Sequence, residues 1–205
     1  MTRKIFGIGL NKTGTSSLGA AGGLLGLRCK TWDRRLFQNA IVDGERELLW
    51  ETIDRYDVFE DFPYPLLYEE IDARYPGSAF ILTRRSDPQA WLRSLKAHAM
   101  RARPSSRTHK IVYGFQYPHG REQAFLDFYE RHNEKARRYF AARPADFLEI
   151  AWEEEKDWRR LCGFLGAAAP DAPLPRANAS ASKGVNPLYY AYHAVARLLE
   201  ARARP

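Results

Sequence analysis

Ile5-Phe6-Gly7-Ile8-Gly9-Leu10-Asn11-Lys12-Thr13-Gly14-Thr15-Ser16-Ser17-Leu18 is the stretch that decides how this chain folds. It opens with an apolar run, as expected of a strand covered on both faces inside a parallel sheet. A turn of Gly, Asn, Lys, Thr and Ser follows, and the sequence then turns helical. Such a unit gathers backbone N–H groups at the turn and adds the positive potential of a helix N-terminus. Its hydroxyls and its one ammonium group complete a donor set suited to a phosphate-like anion.

The spacing narrows the ligand. Gly9 and Gly14 stand where the two glycines of G-x-x-x-x-G-K-[ST] stand, and Ser16 takes the place of the magnesium-binding hydroxyl. Thr15 occupies the position of the lysine that reaches the β- and γ-phosphates, and the lysine of this loop is Lys12 instead. The loop therefore reads as a cradle for a phosphorylated ligand other than a nucleoside triphosphate.

The 205 residues suffice for one α/β domain that buries roughly 70% of its unfolded surface. A content of 45% hydrophobic and 28% charged residues is that of a soluble globular protein. The net charge of +7 favours an anionic ligand. No helix combines basic residues with base-reading polar ones, so nucleic acid is not expected as a partner. Cys29 and Cys162 form no CxxC pair and have no neighbouring His, which argues against a metal site and for core positions in a reducing compartment. No run of 18 apolar residues offers a membrane span. Met1-Thr2-Arg3-Lys4 leads straight into the first strand with no room for a cleavable signal, so a cytoplasmic location is expected.

Strands are expected at 4–10, 29–32, 57–61, 78–83 and 146–152. Helices are expected at 15–26, 33–55 with a break near Gly44, 66–75, 88–102, 122–142, 155–165 and 188–202. Residues 103–121, with Pro104, Ser105, Ser106, Gly114 and Gly120, read as a loop or lid, and 166–187 as irregular chain. Alternating strands and helices predict a parallel sheet with helices on both faces, hence a three-layer α/β/α domain spanning 1–205.

A second stretch, Phe80-Ile81-Leu82-Thr83-Arg84-Arg85-Ser86-Asp87-Pro88-Gln89-Ala90-Trp91-Leu92-Arg93-Ser94, puts two arginines at the carboxyl end of a buried strand, the edge where open α/β sheets bind ligands. An arginine there and Ser94 on the following helix form a clamp for a second phosphate. Asp61 ends a strand next to the loop-bearing one, where a carboxylate is placed to accept a proton. His98, His109 and His119 are alternative bases, and Trp32 is a candidate to stack on a nucleobase.

With these motifs the chain resembles the P-loop sulfotransferases that use 3′-phosphoadenylyl sulfate (PAPS). Lys12-Thr13-Gly14-Thr15-Ser16 matches their 5′-phosphosulfate loop, and Arg85 with Ser94 matches their 3′-phosphate site. The interval from Arg85 to Ser94 is nine residues where that family usually has eight, which leaves open whether Arg84 or Arg85 holds the phosphate. Asp61-Phe62-Pro63, the run Tyr75 to Thr83, Trp91 to Ser94, Trp158 to Gly166 and Pro173 to Asn178 resemble one branch of small sulfotransferase-like proteins of bacteria and eukaryotes.

The resemblance implies a P-loop NTPase-like sulfotransferase fold. It also implies transfer of a sulfuryl group from PAPS to a hydroxyl or amine of a small-molecule or carbohydrate acceptor, with release of adenosine 3′,5′-bisphosphate (PAP) and no metal. Lys12 and Asp61 would then be catalytic. Lys12, Thr13, Gly14, Thr15, Ser16, Ser17, Arg84, Arg85, Ser94, Lys183 and Gly184 would bind the donor. The rival expectations are a P-loop small-molecule kinase and a non-catalytic nucleotide-binding protein of the same fold.

Overall fold

The apolar run at the start of the chain becomes β1 (Ile5–Gly7), the middle strand of a five-stranded, all-parallel sheet of order β2-β3-β1-β4-β5. The structure is a computed structural model that describes residues 3–101, 107–176 and 188–202. After β1 come α1 (Thr15–Leu24), β2 (Cys29–Lys30), α2 (Arg34–Phe37), a π-helical turn (Gln38–Asp43), α3 (Glu47–Arg55), β3 (Val58–Phe59), α4 (Tyr64–Arg74) and β4 (Ala79–Arg84). The chain continues through α5 (Pro88–Ala99), α6 (Thr108–Tyr113), α7 (Glu122–Phe140), β5 (Phe147–Ala151), α8 (Arg159–Leu165) and α9 (Tyr189–Arg202).

Two units divide the chain: residues 1–86 with 133–179, and residues 87–132 with 180–205. The first holds the whole sheet, in three layers. Side chains alternate across each strand, so one sequence serves two cores. Phe6, Phe59, Phe80 and Leu82 face a cluster with Leu49 and Ile53 of α3, Tyr64 and Ile71 of α4, and Phe140 of α7. Ile5, Val58, Ala79, Ile81 and Ile150 face the opposite cluster with Leu18 and Ala21 of α1 and with Leu161 and Cys162 of α8. Ring contacts tie neighbouring strands together: Phe6 stacks on Phe59 (4.7 Å between centroids) and on Phe80 (5.5 Å), and Phe140 bridges Phe80 and Phe147 (4.7 and 5.2 Å). Each such buried ring contributes about 1.5–3 kcal/mol.

Several boundaries differ from expectation for local reasons. β2 is two residues long because Asp33 leaves it to cap α2, accepting from the N–H groups of Arg35 (2.9 Å) and Leu36 (3.1 Å). β3 is equally short because Asp61, two residues past its end, turns left-handed at φ +68°. Pro65 lies in the first turn of α4, where its missing N–H costs nothing. The expected helix 33–55 is interrupted, as anticipated, at Gly44 (φ +76°).

In the second unit, Asp87 caps α5 through Gln89 N (2.9 Å) and Ala90 N (3.1 Å). Trp91 is fully buried and stacks on Tyr129 of α7 at 4.4 Å. The expected loop 103–121 contains a helix, α6. His109, Val112 and Tyr113 are its buried side, and Tyr113 packs on Phe125 (4.8 Å) and Phe128 (5.0 Å). Six residues are too few for a periodic signal to stand out among the prolines, serines and glycines around them. The irregular stretch expected at 166–187 is described to residue 176, and α9 follows the undescribed part.

Candidate functional site

Ile8, Gly9 and Leu10 continue β1 past its paired residues into the loop. Gly9 is required by contact: a Cβ there would stand 2.1 Å from the carbonyl oxygen of Thr83 and 2.8 Å from Thr13 Oγ1. That close approach seats the loop on β4. Thr13, fully buried, donates its hydroxyl to Leu10 O (2.6 Å) and shares a 2.7 Å hydrogen bond with Thr83 Oγ1. Its hydroxyl thus shapes the loop from behind. Thr13 N donates to Leu10 O (3.3 Å) and Ser17 N to Gly14 O (2.9 Å). Gly14, the residue before α1, has no side chain with which to cap the helix.

Gly14, at φ +99°, is the αL residue before α1. A Cβ there would meet Trp152 Cδ1 at 2.2 Å. Trp152, at the carboxyl end of β5, is buried, and its indole N–H has no acceptor among the described residues. Sequence reasoning missed this residue, because nothing local links position 152 to position 14.

Lys12 (φ +69°) and Asp61 (φ +68°) are the non-glycine residues with left-handed backbone among those described. Each such conformation costs about 1–3 kcal/mol and persists where the surroundings impose it, often at functional sites. They stand beyond the carboxyl ends of the adjacent strands β1 and β3. Asp61 Oδ1 accepts from Phe62 N at 2.8 Å. Burial, reinforced by the charge of Glu60, pushes the Asp61 carboxyl up to about 7, and the Phe62 N–H and the Lys12 ammonium oppose that rise. A carboxylate that titrates near neutrality can take up a proton in the range where an enzyme works.

Glu60 is the second residue that sequence reasoning missed. It is only 3% exposed. Its Oε2 is buried without a partner among the described residues, and burial raises its pKa as well. The strand ending in two acids was visible in the sequence; which acid turns inward was not.

Past β4 the two arginines differ. Arg84 Nε donates to Glu149 Oε1 at 2.6 Å, Nη2 to Glu154 Oε2 at 3.3 Å and Nη1 to the Arg85 carbonyl at 3.1 Å. Arg85 pairs with Glu153 at 3.1 Å, and Glu153 also accepts from the Ser86 N–H (2.9 Å) and hydroxyl (3.1 Å). These carboxylates, on and just after β5, were not singled out from the sequence. Ser94 lies on α5, in the second unit, and Trp32 is on the surface, 38% exposed. Lys183 and Gly184 lie outside the described residues.

The three candidate histidines all belong to the second unit. His109 is buried, which pulls it down to about 4 and keeps it neutral. His119 Nδ1 is engaged by the Tyr189 hydroxyl at 2.5 Å. No group of three or more His, Cys, Asp or Glu among the described residues is arranged to hold a metal ion. No described helix is long and apolar enough to cross a membrane.

A family model described as "Sulfotransferase domain" matches residues 4–121 and 103–183. The chain is also similar to "Ava biosynthesis cluster protein M" of Aspergillus versicolor, 26% identical over 217 residues, which cover 84% of this chain and 79% of that protein.

Proposed function

The chain belongs to the sulfotransferase-domain family, and from that premise we propose that it transfers a sulfuryl group from PAPS to a hydroxyl or amine of a small-molecule or carbohydrate acceptor, releasing PAP. One observation supports this above the others. Lys12 and Asp61 hold strained left-handed backbone beyond the ends of neighbouring strands, and Thr15 stands at the position of a nucleotide-binding lysine. The set supplies a cation for a leaving phosphate oxygen and a carboxylate for an incoming nucleophile. The relative's name, which refers to a biosynthesis cluster, is compatible with a small-molecule acceptor.

The residues divide the work as follows. The N–H groups at the start of α1 hold the 5′-phosphate. Lys12 stabilises the bridging oxygen as the S–O bond breaks, and Asp61 takes the acceptor's proton as the new bond to sulfur forms. Arg85 is assigned to the 3′-phosphate, as the resemblance implies. Arg84 joins β4 to Glu149 and Glu154, and Arg85 pairs with Glu153; the assignment rests on the match of Arg85 to the arginine of the family's 3′-phosphate site. Catalysis here is positioning with fixed positive charge.

PAP should stabilise the protein against heat without added metal, by roughly 2.7 kcal/mol at about 100 times its dissociation constant. ATP with magnesium should do far less, because the loop lacks the lysine after Gly14. Equal stabilisation by the two would favour the kinase reading, and PAP binding without turnover of PAPS the non-catalytic one.

Arg85→Ala should weaken PAP binding by about 10- to 150-fold, the worth of one charge-assisted hydrogen bond. Binding of adenosine 5′-phosphate, which lacks the 3′-phosphate, should change little. Titration calorimetry with both ligands reads the difference. The same selectivity in Arg84→Ala but not in Arg85→Ala would move the assignment by one residue.

A further inference from the structure

We propose that Trp152 is a binding residue of the anion loop, its indole N–H donating to an oxygen of the phosphate group that the loop holds. The inference deepens the reading of that loop as the seat of the 5′-phosphate and rests on it.

Trp152 directly follows β5, and the pairing of Arg84 with Ala151 sets it at the carboxyl edge of the sheet. The loop leaves the same edge from β1, and β4 lies between the two strands. Two strand spacings amount to about 9–10 Å, so only a large side chain spans them. The indole does. A Cβ on Gly14 would stand 2.2 Å from Trp152 Cδ1, 2.8 Å from Nε1 and 3.2 Å from Cγ. All three atoms belong to the five-membered ring, so the edge that carries the N–H is the edge turned to the loop. The first two distances leave no room for a side chain at position 14. Gly14 is also the residue before α1. The indole N–H is thus set beside a helix start, where backbone N–H groups and the helix dipole favour an anion.

The state of that N–H is a separate observation. Trp152 is 5% exposed, and its Nε1 is buried without an acceptor among the described residues. A donor in that state is expensive and calls for an explanation. Phenylalanine would fill the same core without that cost. Trp158, buried in the same cluster, donates its Nε1–H to Ala172 O at 2.6 Å. The core therefore satisfies one indole and leaves unsatisfied the one that lies against the loop. An indole N–H donates and never accepts, and a phosphate group offers only acceptors when fully ionised. Bulk water does not reach this N–H, so the bond forms as the turn at Gly14 and the ring adjust to the anion. Lys12 brings charge to the bound group, and Trp152 brings a donor of fixed direction.

The test follows the Trp152 indole N–H by nitrogen-15 NMR while PAP, adenosine 3′-phosphate and inorganic pyrophosphate are titrated in. PAP and pyrophosphate should move the indole proton downfield, because a hydrogen bond to a phosphate oxygen deshields it. Adenosine 3′-phosphate, which lacks the 5′-phosphate, should leave it in place. Trp152→Phe keeps a ring and removes the N–H, and the resonance that disappears is that of Trp152. This variant should bind PAP and pyrophosphate about 10- to 150-fold more weakly, the worth of one hydrogen bond to a charged group. Its binding of adenosine 3′-phosphate should hardly change.

An indole proton unmoved at saturation with PAP and with pyrophosphate overturns the proposal. So does equal weakening of PAP and adenosine 3′-phosphate in Trp152→Phe, the mark of a packing role or of a contact with the base. Failure of both PAP and pyrophosphate to bind overturns it together with the reading of the loop. An indole proton moved by pyrophosphate, in a protein that does not bind PAP, supports Trp152 and removes the PAPS reading. Should Trp152→Phe not fold, the wild-type resonance is assigned through the backbone, and its response to PAP and pyrophosphate decides alone.

Discussion

Asp61→Asn should lower turnover of PAPS by about 10²- to 10⁴-fold, the usual loss when a general base is removed. PAP affinity should hardly change, because a carboxylate makes no favourable contact with an anionic donor. The substitution is nearly isosteric. Asn tolerates the left-handed backbone at this position, and its side-chain oxygen can still accept from the Phe62 N–H. A drop in kcat with an unchanged Kd for PAP is the signature of an interaction made only in the transition state. Full turnover in Asp61→Asn would remove Asp61 from the mechanism and turn attention to His119. The neutral, buried His109 is the weaker alternative.

The same variant should be more stable than the wild type above pH 7. The folded protein holds the Asp61 proton up to about pH 7, whereas an unfolded aspartate loses it near the ordinary value of 3.8. Between these limits the native state binds more protons than the unfolded one, so stability falls as pH rises. Asn does not titrate and escapes that loss. The gain in Tm, of about 2–4 °C for each kcal/mol in a protein of this size, should be largest at pH 8 and vanish toward pH 4. Lower activity with higher stability is the trade-off expected where a strained, desolvated group serves chemistry.

How far the sequence could carry the site depends on the range of the forces involved. The loop was legible because its parts are contiguous: an apolar strand, two glycines at fixed spacing, and hydroxyls where a helix begins. The central place of β1 followed from its apolar character, and Asp61 from its position at a strand end. Glu60 was seen only as one of two acids. That it is buried, at 3% exposed, follows from the packing of α1 and the neighbouring strands around it rather than from local pattern. Arg84 and Arg85 look alike in sequence. Their difference is written in Glu149, Glu153 and Glu154, brought alongside by the β4–β5 pairing of Arg84 with Ala151. Trp152 against Gly14 is a contact of the same long-range kind. Local pattern thus pointed to the carboxyl edge of the sheet, and the pairing of distant strands decided which carboxylates each arginine there meets.

Lys12→Ala should damage donor binding and turnover together, unlike Asp61→Asn. The Lys12 charge serves the bound phosphosulfate in the ground state and the bridging oxygen as it leaves. PAP affinity should fall about 10- to 150-fold for the lost charge-assisted contact. A further loss of about 10²- to 10³-fold in kcat is expected for one missing stabiliser of developing charge. The backbone complicates a single substitution here. Lys12 lies at φ +69°, and Ala in that conformation is strained, so a loss in Lys12→Ala could come from a displaced loop. Lys12→Gly separates the causes, because glycine takes positive φ without cost. If the charge is what matters, Lys12→Gly should match Lys12→Ala in lost turnover while melting at a temperature nearer that of the wild type. If the loop's shape is what matters, Lys12→Gly should recover most of the activity, and the ammonium would lose its place in the mechanism.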